Sequence, residues 1–154
     1  QDAMKIAGRS INLPRLTAWY GDPAAIHVYS GIRNVPLPWT ADLLDLKVRS
    51  ELVAGMAFNS VLLNLYRSGT DSMGWHSDDE HDIGTVIASL SLGATRTFQF
   101  RRKSVPADVV SMRLSNGSLL LMWGACQRLW THRVPKESAA GERINLTFRA
   151  VSPK

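Results

Sequence analysis

The stretch Arg143-Ile144-Asn145-Leu146-Thr147-Phe148-Arg149 alternates without a break between polar and apolar side chains. Successive side chains of a β-strand leave on opposite faces, so the alternation predicts a strand with Ile144, Leu146 and Phe148 packed on one side. Arg143, Asn145, Thr147 and Arg149 then share the other side. Two arginines and an amide on an inward face are costly in an ordinary core, where an unpaired buried charge is strongly disfavoured. They fit a dianionic ligand held between them. A guanidinium meets a carboxylate through two parallel charge-assisted bonds, each contributing about 1.5–3 kcal/mol.

Upstream, Val61-Leu62-Leu63-Asn64-Leu65-Tyr66 repeats the arrangement, with Asn64 and Tyr66 offering an amide and a phenol on one face. Taken singly, either strand reads better as one whose polar face meets solvent. Further strands are expected over 26–29, 86–92, 97–101, 109–114 and 118–123, separated by turn residues such as Gly93 and Asn116-Gly117. One helix is expected over 40–53, capped by Thr40 and ended by Gly55, with Leu44, Val48 and Leu52 as its core stripe. Many short strands after one helix predict a mainly β (α+β) sandwich or jelly roll. The absence of a repeat, linker or low-complexity tract makes 1–154 a single domain.

Within Trp75-His76-Ser77-Asp78, residues 76 and 78 lie on one side of an extended segment and can present an imidazole and a carboxylate to one metal. His132, in Trp130-Thr131-His132, supplies a second imidazole. Two histidines and a carboxylate form the facial triad of non-haem Fe(II) oxygenases, which leaves coordination positions open for a 2-oxoacid and O2. An H-x-D alone is common; beside the two polar strands it points to a metal site with an anionic cosubstrate.

Composition bounds the partners. The formal charge of +5 and isoelectric point near 9.8 raise the odds of a polyanionic partner. No apolar run approaches the roughly 18 residues that cross a bilayer, and nothing resembles a signal peptide. A single cysteine, Cys126, fits a reducing compartment, cytoplasmic or nuclear. A monomer is expected. The chain opens on Gln1 rather than methionine, so a native start upstream is expected.

In order, spacing and residue type, Asn64-x-Tyr66, His76-x-Asp78, His132 and Arg143-x-Asn145-Leu146-Thr147-Phe148-Arg149 resemble the AlkB family of Fe(II)- and 2-oxoglutarate-dependent dioxygenases. The stretches Ala88-Ser89-Leu90-Ser91-Leu92-Gly93, Phe98-Gln99-Phe100, Pro14-Arg15 and Tyr20-Gly21-Asp22 extend the similarity over nearly the whole chain. The resemblance implies a double-stranded β-helix (jelly-roll) core over about 61–154. It also implies a nucleotide-recognition lid over about 1–60, with one or two flanking helices. It implies Fe(II) on His76, Asp78 and His132. The distal carboxylate of 2-oxoglutarate falls to Arg143, Asn64 and Tyr66, and the chelating end to Asn145 and Arg149. The implied reaction hydroxylates an N-methyl group of 1-methyladenine or 3-methylcytosine type in DNA. Formaldehyde, succinate and CO2 leave, and the target base must first be extruded from its stack.

By the same resemblance Tyr29 stacks on the base. Asp79 and Glu80, which follow the metal-binding run, read equally as partners of the base edge and as an acidic turn, and His27, on the face of Tyr29, as a border of the pocket and as a structural histidine. Phosphates are expected at Arg101, Arg102 and Lys103, joined by Arg15 and Arg67, while Trp123 and Trp130 pack near the metal and Trp75 does either. One departure stands out: Ile6-Ala7-Gly8 aligns with the apolar finger of duplex-active members, and Ala7 is too small to fill a vacated base position. That favours single-stranded or already distorted substrates. The alternatives are an RNA or protein demethylase on the same scaffold, a binding module without turnover, and a zinc hydrolase on the same three ligands. The last leaves the Arg143/Arg149 face unexplained.

Overall fold

The computed structural model describes residues 3–6, 9–12, 15–29, 32–79 and 83–152. Its strands in chain order are β1 (Ala3–Ile6), β2 (Arg9–Asn12), β3 (Leu16–Gly21), β4 (His27–Tyr29) and β5 (Ile32–Asn34). The helix α1 (Ala41–Ala54) follows, then β6 (Ser60–Tyr66), β7 (Met73–His76), β8 (Ile83–Gly93), β9 (Arg96–Arg102), β10 (Val109–Leu114) and β11 (Leu119–Met122). A short α2 (Cys126–Leu129), β12 (Trp130–Val134) and β13 (Arg143–Val151) complete the chain.

Two antiparallel sheets carry the architecture, one in the order β10-β9-β12-β7 and the other β11-β8-β13-β6-β3. Tyr66, Ile87, Phe98, Leu114, Met122 and Val134, drawn from both sheets, form the core between them. A second core, including Phe58, Val61, Leu90, Leu146 and Phe148, lies on the other face of the larger sheet under Leu43 of α1. This is the expected jelly roll. The expected strands all form; β3, β7 and β12 complete the two sheets, while β1–β2 and β4–β5 are separate two-stranded sheets. β3, inside the stretch expected as lid, hydrogen-bonds along β6 and edges the larger sheet. Among the described residues no helix is long and apolar enough to cross a membrane.

The helix has the expected ends. Thr40 accepts from the Leu43 N–H at 3.3 Å, and Gly55, at φ 68°, returns its N–H to Glu51 O at 2.8 Å. Its buried face is not the expected one. Leu44, Val48 and Leu52 are 43, 52 and 80% exposed, whereas Leu43 and Ser50 are buried and Leu46 and Ala54 pack on the core. The helix carries two apolar rows roughly a quarter-turn apart, and spacing alone does not say which one meets the sheet. Ile144, expected in the core, is likewise 36% exposed.

A polar clasp joins two turns at one end of the sandwich. Arg96, fully buried, donates to the backbone carbonyls of Ser68, Asp71 and Pro135 at 3.3, 2.9 and 2.7 Å and to Glu137 at 3.1 Å. Gly69 passes so close to Glu137 that an added Cβ would lie 1.5 Å from its carbonyl oxygen, which only glycine permits. Burial alone would raise the Glu137 carboxyl. Bonds from the Thr97 N–H, the Arg113 guanidinium and the Thr97 hydroxyl outweigh it and bring the group down to about 2. A carboxyl lowered in the folded state stabilises above its unfolded value and loses that contribution as pH falls through its folded value. Urea midpoints should therefore drop steeply between pH 4.5 and about 2, and Glu137→Gln should start lower at neutral pH with a flatter acid limb. An acid limb identical in wild type and variant would count against the clasp.

Candidate active site

The sheet pairing that builds the sandwich also assembles the site. His132 of β12 lies directly across from His76 of β7 on one side and Phe100 of β9 on the other. Paired residues point to the same face, so both imidazoles enter the space between the sheets. Asp78 follows two residues after His76. The ligand atoms of His76, Asp78 and His132 all lie within 4.8 Å of one another, and the two imidazole centroids are 4.2 Å apart. His132 stacks on Phe98 at 5.4 Å and is buried.

Neighbours fix the protonation of this set. The His76 Nδ1 lies 2.8 Å from Gly74 O, an atom that can only accept, so Nδ1 donates there and the ring is turned with Nε2 toward Asp78. Burial, with His76 beside it, lowers His132 to about 4 against the attraction of Asp78, leaving a neutral donor at pH 7. Burial alone would raise the Asp78 carboxyl; Arg149, His132 and His76 outweigh it and keep it low. Arg149 Nη2 donates to Asp78 Oδ2 at 2.9 Å, and the Asp78 N–H donates to Gln127 Oε1 at 3.0 Å. Gln127, buried on α2 and bonded in turn to Met122 Sδ at 3.4 Å, has no sequence signal: its partner lies 49 positions away.

β13 runs between β8 and β6 and turns Arg143, Asn145, Thr147 and Arg149 inward, all buried. Arg143 Nη2 donates to Ser91 Oγ at 2.8 Å, and its guanidinium lies 5.3 Å from the Tyr66 ring. Burial pushes the Tyr66 phenol up, against the pull of Arg15, Arg143 and Arg96. Arg143 Nε and Nη1 and Arg149 Nε are buried with no hydrogen-bond partner. Buried donors on a cation are rarely left so, and a ligand with two carboxylates fits them. The amide nitrogen of Asn145 is already engaged by Ser89 Oγ and Leu90 O, at 2.8 and 3.1 Å, and its oxygen accepts from Thr147 at 3.0 Å. It braces the strand.

The remaining expected residues divide. Arg15 is buried and donates to Asn64 Oδ1 at 2.7 Å, so it joins the Arg143 pocket rather than an exposed phosphate cluster. Arg67 closes its fork on Asp71. Asp79, half-exposed, pairs with Lys103 at 2.9 Å. Arg102 is exposed on the Phe100 side of β9, while Arg101 faces the opposite way with Trp75. Trp123, expected near the metal, is 66% exposed because it sits past the end of β11. Tyr29 and His27 lie on β4, with their side chains outside the described residues, as are Glu80, Ala7 and Gly8.

A jelly roll that presents two imidazoles and a carboxylate beside a pair of buried arginines has the make-up of a non-haem Fe(II) oxygenase. Residues 4–149 match the model of the 2OG-Fe(II) oxygenase superfamily. The chain is 50% identical over 152 residues to human alpha-ketoglutarate-dependent dioxygenase alkB homolog 3, covering 91% of this chain and 52% of that protein. It is 37% identical over 160 residues to mouse DNA oxidative demethylase ALKBH2, covering 97% and 67%. A solved structure of OsALKBH1 superimposes with a TM-score of 0.64 at 19% identity, over 90% of this chain and 78% of that one, which speaks for the fold. The chain belongs to the AlkB family within the 2OG-Fe(II) oxygenase superfamily. It spans about half the length of the first of these relatives.

Gln127→Leu removes the acceptor that holds the Asp78 backbone while keeping similar bulk. Loss of such a partner behind a metal ligand typically weakens metal affinity by about 10- to 100-fold. Titration of the apoprotein with Co(II), followed by its visible absorption, should show that loss; an unchanged affinity would remove Gln127 from the site.

Proposed function

We propose that this chain is an Fe(II)- and 2-oxoglutarate-dependent dioxygenase that removes N-methyl groups from bases in DNA. The observation that carries the reading is the set of unpartnered buried donors on Arg143 and Arg149 next to His76, Asp78 and His132. His76, Asp78 and His132 would hold Fe(II). Arg143 and Tyr66, with Arg15 and Asn64 behind them, would take the distal carboxylate of 2-oxoglutarate, and Arg149 its other end. The relatives' names, alpha-ketoglutarate-dependent dioxygenase and DNA oxidative demethylase, agree with this assignment.

When bound, Fe(II) with O2 and 2-oxoglutarate supplies the oxidising power that puts a hydroxyl on the methyl carbon, with succinate and CO2 as the other products. The carbon–nitrogen bond of the hydroxymethyl base then breaks, formaldehyde leaves and the base is restored. The chain's own residues prepare this. Arg149 occupies one oxygen of Asp78 and so leaves the other for the metal. Gly74 O fixes the His76 ring with Nε2 toward Asp78, and burial keeps His132 unprotonated. Phe98 and Phe100 exclude water behind His132. A zinc hydrolase on the same ligands would give Arg143 nothing to bind. A binding module without turnover would have no use for two imidazoles and a carboxylate brought to one point.

Oligonucleotides carrying 1-methyladenine or 3-methylcytosine, incubated with protein, Fe(II), ascorbate and 2-oxoglutarate, should lose one methyl group by mass spectrometry. Asp78→Ala should abolish the loss. Arg143→Met should raise the KM for 2-oxoglutarate by about 10- to 100-fold, the equivalent of one charge-assisted bond. Succinate formed with every methyl retained would keep the oxygenase and reject the substrate; methyl loss without 2-oxoglutarate would reject the chemistry.

A further inference from the structure

The pairing that turns His76, His132 and Phe100 inward sends their neighbours Trp75, Arg101 and Arg133 to the outer face of the β10-β9-β12-β7 sheet. There the guanidinium carbons of Arg101 and Arg133 each lie 4.4 Å from the centre of the Trp75 ring. Arg133 Nε donates to Gln99 Oε1 at 2.7 Å, and Gln99 donates on to Ser111 Oγ at 2.9 Å. The next row holds Arg113, its side chain 58% exposed and its guanidinium on Thr97 and Glu137. The outward positions of β9, β10 and β12 thus carry three arginines and no acid. Among the described residues neither Arg101 nor Arg133 meets a carboxylate.

Stacking on an indole fixes a guanidinium without cancelling its charge and leaves its in-plane N–H groups free. An indole that serves two arginines is spoken for, and this face has no other aromatic ring among its outward positions on which a base could stack. What the face recognises is therefore anionic, spaced and without regard to base identity. Exposed Arg102, on the pocket side of β9 and adjacent to Arg101, carries the positive charge around the end of that strand. We propose that the outer face formed by Trp75, Arg101 and Arg133 binds the phosphodiester backbone of the strand whose modified base enters the pocket. The assignment rests on the nucleic-acid reading above and extends it: the footprint wraps the smaller sheet, so a long strand is held at two faces and a very short one at the pocket alone.

Length dependence separates the two. Fluorescence anisotropy compares a labelled single strand of about 20 nucleotides with a methylated trinucleotide, for wild type, the Arg101→Gln/Arg133→Gln double variant and the charge-preserving Arg101→Lys/Arg133→Lys variant. Circular dichroism checks that each folds. Wild type should bind the long strand more tightly. The Gln variant should lose about tenfold on it, with the slope of log K against log salt falling by about 1–1.5, as two lost phosphate contacts require. The Lys variant should keep most of that slope, and trinucleotide affinity should stay within twofold throughout. Equal loss on both lengths, equal loss in the Lys and Gln variants, no loss in either, or no length effect in wild type would each overturn the assignment. Competition by polyglutamate as strong as by the oligonucleotide would overturn it in favour of an acidic protein. Tight, length-dependent binding without demethylation of the bound strand would instead uphold the surface and reject the proposed reaction.

Discussion

Two buried guanidinium groups on one strand set the terms for everything around them. Placing Arg143 and Arg149 in the sandwich removes two cations from water, a cost of several kcal/mol each unless partners replace the hydration. Ser91 and Asp78 replace part of it. Tyr66 gives Arg143 a ring to lie against, and Ser89, Leu90 and Thr147 brace Asn145 between the two arginines. The inner face of the larger sheet is consequently polar where an ordinary sandwich is apolar. Hydrophobic burial is displaced to its far side under α1 and to the end where Phe98, Leu114 and Met122 meet.

That division explains why β13 and β6 are legible in the amino-acid sequence. Their polar residues recur every second position and are costly to bury, so the pattern marks both the strands and their polar inner face. The facial ligand set is legible for a similar reason, since 76 and 78 are neighbours. Other contacts have no local trace. Arg15 reaches Asn64 across 49 positions, and Gln127 reaches the Asp78 backbone across the same span. Nothing in either segment distinguishes those residues from surface ones. The buried face of α1 escapes sequence reasoning for a related cause: two apolar rows compete, and the shape of the sheet beneath decides between them.

The basic residues show how far local reading misleads when strands are involved. Arg101, Arg102 and Lys103 are consecutive and look like one cluster. At the end of β9 they part company: Arg101 joins Trp75 and Arg133, Arg102 stands on the other side, and Lys103, just past the strand, binds Asp79. A run of like charges on a strand is two half-runs back to back, and each half acquires its company from neighbouring strands.

Tyr66 belongs at once to the core between the sheets and to the wall beside Arg143. Core packing and the proposed ligand site therefore draw on one side chain. A bound anion at Arg143 adds its binding free energy to the folded state and raises the melting temperature. A cavity cut at Phe98 or Leu114 reaches the same ring through the core. Effects of such pairs on stability and on affinity will not add, because residues that share a partner are energetically coupled. If the proposed cosubstrate binds there, tolerance of this protein to mutation in its core becomes a function of how much of it is present.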